Sequence, residues 1–174
     1  CTGPEGFLDT HRTAEAVAES ISVNASDVLV CSTGLIGVRL PMDNIFNGIK
    51  KASSNLSSDG AEELAEAIMT TDSHAKFIDR EYKGVKFFAM AKGAGMLAPS
   101  LATMLSVVTT DAVIDFDALN LLQEICSETF DRIDSDGCMS TNDTVALLAS
   151  GASGITLTRE ELHQEILACA QYLA

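Results

Sequence analysis

The chain has 174 residues, with 11 Lys and Arg against 25 Asp and Glu, a formal charge of −14, 47% hydrophobic residues and no Trp. That apolar fraction supplies a core for one domain, or for part of a larger one, and excludes a disordered chain. The acidic balance leaves no basic stripe for nucleic acid or for an anionic membrane surface, and no apolar run reaches the roughly 18 residues a spanning helix needs.

In chain order, Thr10 to Ile21 reads as a helix, with Ala14, Val17, Ala18 and Ile21 at helical spacing and Asp9 or Thr10 as its cap. Val28-Leu29-Val30 reads as a short strand running into Ser32-Thr33-Gly34, a turn of the kind that exposes backbone amides. Pro41 suits the first turn of a helix through Lys51. The polar stretch Ser53 to Gly60 is a loop and the one internal seam, too short for a domain linker, so a single structural unit is expected. Ala61 to Met69 returns to helix. Tyr82 to Met90 and Met104 to Thr109 suggest strands, separated by Lys92-Gly93-Ala94-Gly95 and Pro99. Asp115 to Ile133 reads as one long helix, followed by a turn at Asp134-Ser135-Asp136-Gly137. Thr144 to Leu148 suits helix or strand, and Thr158-Arg159-Glu160-Glu161 is a capping box opening the last helix. The fold class expected is α/β (α+β), with mixed sheets covered by helices.

Several chemistries fail on spacing. The five cysteines, Cys1, Cys31, Cys126, Cys138 and Cys169, are odd in number and form no Cys-x-x-Cys pair. Buried thiols in a reducing cytosol are therefore expected, with no disulfide or zinc site, and the sequons at Asn24, Asn55 and Asn142 carry no meaning. The opening Cys1-Thr2-Gly3-Pro4 lacks both Met and a signal segment and reads as a fragment or a matured product. Setting Gly137 at the sixth position of a calcium loop puts Arg132 where the first acidic ligand belongs. His11, His74 and His163 stand in unrelated contexts, and no Gly-x-Ser-x-Gly elbow accompanies them. Lys92-Gly93-Ala94-Gly95 lacks the spacing of a phosphate loop. Neither a metal nor a cofactor is expected.

The segment from Ala91 to Leu105 carries more weight. Small residues crowd in front of Thr103. A threonine hydroxyl is a weak nucleophile and needs a base. Without histidine, one solution is to make Thr the first residue, so that its own α-amine, with a reference pKa of about 8, takes the proton. That requires cutting the Ala102–Thr103 bond. A β-branched residue opening a strand explains the same position without any chemistry.

This segment resembles the self-cleavage region of the ornithine acetyltransferase (glutamate N-acetyltransferase) family of bifunctional arginine-biosynthesis enzymes. Cys1-Thr2-Gly3, Cys31 to Gly37, Ala67 to Asp72 and Ser140 to Thr144 agree in the same order. The resemblance implies self-cleavage between Ala102 and Thr103, with 1–102 ending an α chain and 103–174 opening a β chain. Thr103 would take acetyl from N-acetylornithine and deliver it to glutamate, with acetyl-CoA a second donor in bifunctional members. It implies an oxyanion pair at Thr33 and Gly34, substrate binding by Thr70, Lys92 and Thr103, and assembly of α and β chains into a heterotetramer or higher oligomer in the cytoplasm. Family members are about twice this length. A substrate-binding Glu and further polar ligands are expected beyond Ala174, and another portion before Cys1. The competing readings are an amidohydrolase or aminopeptidase built on the same N-terminal Thr, with water as acceptor, and an inactive folded fragment.

Overall fold

The computed structural model describes residues 2–174, Leu101 by its backbone alone. The chain divides into two compact units at Gly60, the second being Ala61–Ala174. The single unit expected from the sequence is thus two, and the seam lies at the end of the Ser53 to Gly60 loop. The Ala102–Thr103 bond falls inside the second unit.

In the first unit, α1 (Gly3–Ile21) packs on α2 (Met42–Ser54). Helix α1 begins seven residues earlier than expected, because Pro4 in its first turn brings a preset φ and lacks only an amide that would be unpaired there anyway. Asp9 is therefore no cap. It lies buried on α1 and receives both Nε and Nη2 of Arg39 at 2.8 Å, a bidentate pairing that holds its carboxyl below the usual range. The helix ends at Ser22, whose left-handed φ of 59° returns its amide to Ala18 O. Val28-Leu29-Val30 forms no strand: a 3₁₀ turn, Ala25–Asp27, precedes it, and no strand of this unit pairs with it among the described residues. Only Asp9 and Ala18 are buried among the described residues of this unit.

The second unit opens with α3 (Ala61–Ala67) and a hairpin of β1 (Lys76–Tyr82) and β2 (Val85–Lys92). Strands β5 (Leu105–Thr110) and β6 (Thr144–Ala149) complete a sheet of order β1-β2-β5-β6. The pairs β1–β2 and β2–β5 are antiparallel, β5–β6 parallel. Parallel neighbours need a crossover, supplied by α4 (Ala118–Glu128). Asp117 caps α4 by accepting Leu119 N–H. The long helix expected to Ile133 stops early, where Thr129 Oγ1 donates back to Ile125 O at 2.7 Å and a 3₁₀ turn, Phe130–Arg132, takes over. Helix α5 (Arg159–Leu173) opens on the expected capping box and covers β1 and β2. Phe87, Val108, Leu121, Ile125, Leu162 and Ile166 form the centre of the core between helices and sheet, each at most 1% exposed. The mixed sheet covered by helices is the expected fold class.

Candidate active site

The site is built where β2 ends. Lys92 is its last residue, and Gly93 follows at φ +145°. A Cβ on Gly93 would stand 3.2 Å from Thr103 O and 3.4 Å from Met104 Cα, so only glycine lets the two backbones pass this closely. The chain then makes a small hairpin of β3 (Leu97–Ala98) and β4 (Leu101–Ala102). Pro99 takes its first corner position, where its fixed φ fits, and Ser100 the second at φ +59°. The backbone amide of Thr103 donates to Met96 O at 2.9 Å, extending the hairpin by one rung. The Ala102–Thr103 bond is thus the last peptide of β4, two residues before β5.

Thr103 Oγ1 is buried and has no hydrogen-bond partner among the described residues, a state a hydroxyl adopts only at a cost in free energy. Lys92, 2% exposed, donates from Nζ to Thr103 O at 3.4 Å. Burial pushes the Lys92 ammonium below its ordinary value; Asp72 opposes the shift and the charge of Lys76 adds to it.

Asp72 organises the approach to this pair. Its Oδ1 accepts Gly93 N–H at 2.7 Å and lies 3.1 Å from Lys76 Nζ, and its Oδ2 accepts Thr70 N–H at 3.3 Å. Burial alone would raise its carboxyl, but the Gly93 and Thr70 amides and Lys76 outweigh that and hold it low. Lys76 Nζ also donates to Gly93 O at 2.6 Å. Thr70, exposed beyond the end of α3, is therefore joined to the strand end carrying Lys92 through one carboxylate.

Two further carboxylates fix the hairpin. Asp136 accepts Met96 N–H at 2.9 Å and Leu97 N–H at 3.3 Å. With Asp134 accepting Gly137 N–H, the segment expected to be a plain turn is one, but it also clamps the loop ahead of the junction. No cluster of three or more His, Cys, Asp or Glu suited to a metal occurs among the described residues. Asp143 Oδ2 accepts Ala102 N–H at 3.3 Å. Asp72, Asp136 and Asp143 were not among the expected site residues. Their contacts span 21, 40 and 41 residues, and no local spacing announces them.

The second unit therefore brings together Thr103, Lys92, Ala102 and, through Asp72, Thr70. Thr33 and Gly34 belong to the first unit, Thr33 half-buried and Gly34 exposed in a bend. The turn that carries them does not end a strand, contrary to expectation. The cysteines differ as well: Cys169 is buried and Cys126 half-buried, their thiols pushed up to about 11 chiefly by burial, whereas Cys31 and Cys138 are exposed. Cys1 lies outside the described residues. A concavity of about 970 Å³ opens elsewhere on the second unit, beside Asp79, Lys86, Asp111 and Leu148, and includes neither Thr103 nor Lys92.

What these elements define is a mixed α/β protein that sets a buried lysine and a buried, unpartnered threonine hydroxyl beside the end of one central strand. The chain belongs to the ArgJ family, whose model matches residues 1–174, the same arginine-biosynthesis family that its collinear motifs resemble. It is 57% identical to the arginine biosynthesis bifunctional protein ArgJ of Streptomyces avermitilis, over 97% of this chain and 44% of that protein. To the protein of the same name from Thermobifida fusca it is 49% identical, over 99% of this chain and 45% of that one. The crystal structure of arginine biosynthesis bifunctional protein argJ from Bacillus halodurans aligns over 60% of this chain and 56% of that one, at 31% identity and a TM-score of 0.44. The chain spans less than half the length of these two sequence relatives. No helix among the described residues is long and apolar enough to cross a membrane.

Proposed function

We propose that the protein to which this chain contributes is an acyltransferase of arginine biosynthesis, moving acetyl from N-acetylornithine to glutamate through Thr103 after cleavage of the Ala102–Thr103 bond. The observation that carries this reading is the buried, unpartnered Thr103 Oγ1 beside the buried Lys92. A hydroxyl kept from water and from protein acceptors is available to a base or to a carbonyl carbon. Cleavage turns the Thr103 amide, now engaged with Met96 O, into an α-amine able to take the hydroxyl proton. The acetyl group then rests on Oγ1 as an ester while ornithine leaves and glutamate enters.

Lys92 holds a substrate carboxylate by a charge-assisted hydrogen bond, and Thr70 lines the same approach. Thr33 Oγ1 and the Gly34 amide stabilise the oxyanion. Acetyl-CoA is a second donor in a bifunctional enzyme, and the α and β chains assemble into a heterotetramer or larger oligomer in the cytoplasm. The names of the relatives support the pathway; the chemistry of the junction supports the nucleophile.

The test is an intact-mass spectrum of the protein at its full natural length, with and without N-acetylornithine. Scission immediately before Thr103 and one added acetyl group on the Thr103 piece are expected, both abolished by Thr103→Ala. An uncleaved chain that still exchanges acetyl would overturn the reading. Release of acetate without any glutamate requirement would favour a hydrolase.

A further inference from the structure

Two buried side-chain polar atoms lack a hydrogen-bond partner among the described residues: Thr103 Oγ1 and Asp143 Oδ1. They flank one peptide bond. Thr103 supplies its nitrogen, while Asp143 holds the residue that supplies its carbonyl, through the 3.3 Å hydrogen bond from Ala102 N–H to Oδ2. The two atoms do not bond each other. Ala102 itself is 2% exposed, so its amide has no water to turn to and depends on Asp143.

The placement of Asp143 is fixed by the sheet. Thr144, the next residue, donates its amide to Met104 O at 3.0 Å and opens the parallel β5–β6 ladder, with Leu105 opposite Thr144. The carboxyl group therefore stands at a fixed register beside the strand that begins just after Thr103. Its second oxygen, Oδ1, is buried without a partner among the described residues, which costs stability for the sake of an acceptor at this position. Burial raises the Asp143 carboxyl above its ordinary value, the Ala102 amide opposes this, and Asp131 adds to the rise; the charge of Asp143 in turn helps to raise the Cys126 thiol.

We infer that Asp143 is the positioning residue of the self-cleavage step: by gripping the Ala102 amide it holds the scissile carbonyl against Thr103 Oγ1. This rests on the cleavage reading above. In that step Oγ1 bonds to the Ala102 carbonyl carbon and the C–N bond to Thr103 breaks. The hydroxyl proton ends on the Thr103 nitrogen, leaving an ester and a free amine. Water then hydrolyses the ester, giving the Ala102 carboxylate and restoring the Thr103 hydroxyl. Asp143 makes no covalent bond in either stage; it fixes the angle of approach, on which such intramolecular attacks depend steeply.

The experiment follows cleavage by denaturing mass spectrometry in the full-length protein and in its Asp143→Asn, Asp143→Leu and Asp143→Ala variants, with thermal melting as a check on folding. Asn keeps an oxygen that can accept Ala102 N–H, and is expected to cleave within about threefold of the natural rate. Leu fills similar space without an acceptor, and Ala leaves the space open; both are expected to cleave at least roughly tenfold more slowly, the scale of one lost positioning contact. A Leu variant that cleaves normally would reduce Asp143 to a space filler and overturn the proposal. So would an Asn variant slowed as much as Ala, and this comparison stands even where Leu fails to fold. If the unsubstituted protein does not cleave at Ala102–Thr103, the cleavage reading itself falls, which separates the two failures.

Discussion

Asp136 holds Met96 by its backbone amide at 2.9 Å, and Met96 passes that constraint to the junction, because its carbonyl accepts the Thr103 amide at the same distance. Met96 sits at φ +56°, a left-handed conformation costly for a residue with a Cβ. The carboxylate is therefore what keeps the loop in this shape. Its pKa is held below the ordinary value chiefly by the Met96 and Cys138 amides.

Replacing Asp136 by Ala is expected to slow cleavage before Thr103 by roughly tenfold, by releasing the Met96 carbonyl from the scissile amide. The sign of the pH dependence follows from the lowered folded-state value. The stabilisation is complete above the unfolded value of about 3.9 and is lost as pH falls through the lower folded value. Cleavage rates measured from pH 7 downward should hold through the ordinary carboxylate range and fall only below it, whereas the Ala variant should lack that last acid limb. An Ala variant that matures at the natural rate would show that β3 and β4 hold the loop unaided.

Lys92 is buried with its Nζ on Thr103 O, and its folded-state pKa is lowered, first by desolvation. Between that lowered value and the unfolded value of about 10.4 the unfolded chain binds the extra proton, so stability rises with pH across this window. Lys92→Met removes the cation and keeps most of the stem. It is expected to leave stability equal or higher at neutral pH, to flatten the rise toward pH 10, and to raise KM for N-acetylornithine roughly tenfold or more. Urea unfolding at several pH values reads the first two effects and steady-state kinetics the third. A variant with unchanged KM would remove Lys92 from substrate binding.

Thr33 is predicted to act on the rate rather than on binding. If its hydroxyl and the Gly34 amide meet the developing oxyanion, Thr33→Ala lowers kcat by roughly 10²–10³ with KM little changed, since such donors strengthen in the transition state. A KM effect at constant kcat would assign Thr33 to ground-state binding instead.

What the sequence made legible was local. The Thr158 and Glu161 pairing needs only a three-residue spacing, and in the structure each side chain accepts the other's amide. Strands β2 and β5 announced themselves by apolar runs such as Leu105–Thr110, whereas the run that became β6 suited helix and strand alike. Strand β1 did not, because Lys76 and Arg80 on one face and Asp79 and Glu81 on the other make this edge strand polar on both sides. Val28-Leu29-Val30 misled for the opposite reason: the residues favour a strand, but a strand exists only where another backbone pairs with it. Thr103 stood out by the small residues before it, and Lys92 only by family resemblance. The acids that position them are set by tertiary contact, Asp72 through Gly93 and Asp143 through Ala102, so no window of the chain contains both partners.

Gly93 gives the sharpest structural test of the site, because it combines two demands. Its φ of +145° is open to glycine and strained for other residues, and the position of its missing Cβ lies 3.2 Å from Thr103 O and 3.3 Å from Leu97 Cδ2. Leu97 can shift by a rotamer, but Thr103 O is backbone and is also the acceptor for Lys92 Nζ. Gly93→Ala must therefore move the chain at Thr103 or move β2, whose last residue is Lys92. Either shift also disturbs the Gly93 amide on Asp72 and the Gly93 carbonyl on Lys76. The expected result is a loss of about 1–3 kcal/mol of stability, the usual scale for a side chain forced into such a conformation, together with cleavage before Thr103 slowed by more than the stability loss explains. The control is Gly84→Ala at the β1–β2 turn, also at positive φ (+81°) but with only Ile155 Cδ1 near, at 3.4 Å. That variant should lose stability on a similar scale while cleaving normally. Equal cleavage defects in both would mean that general destabilisation, and not the close approach of Gly93 to Thr103, controls maturation.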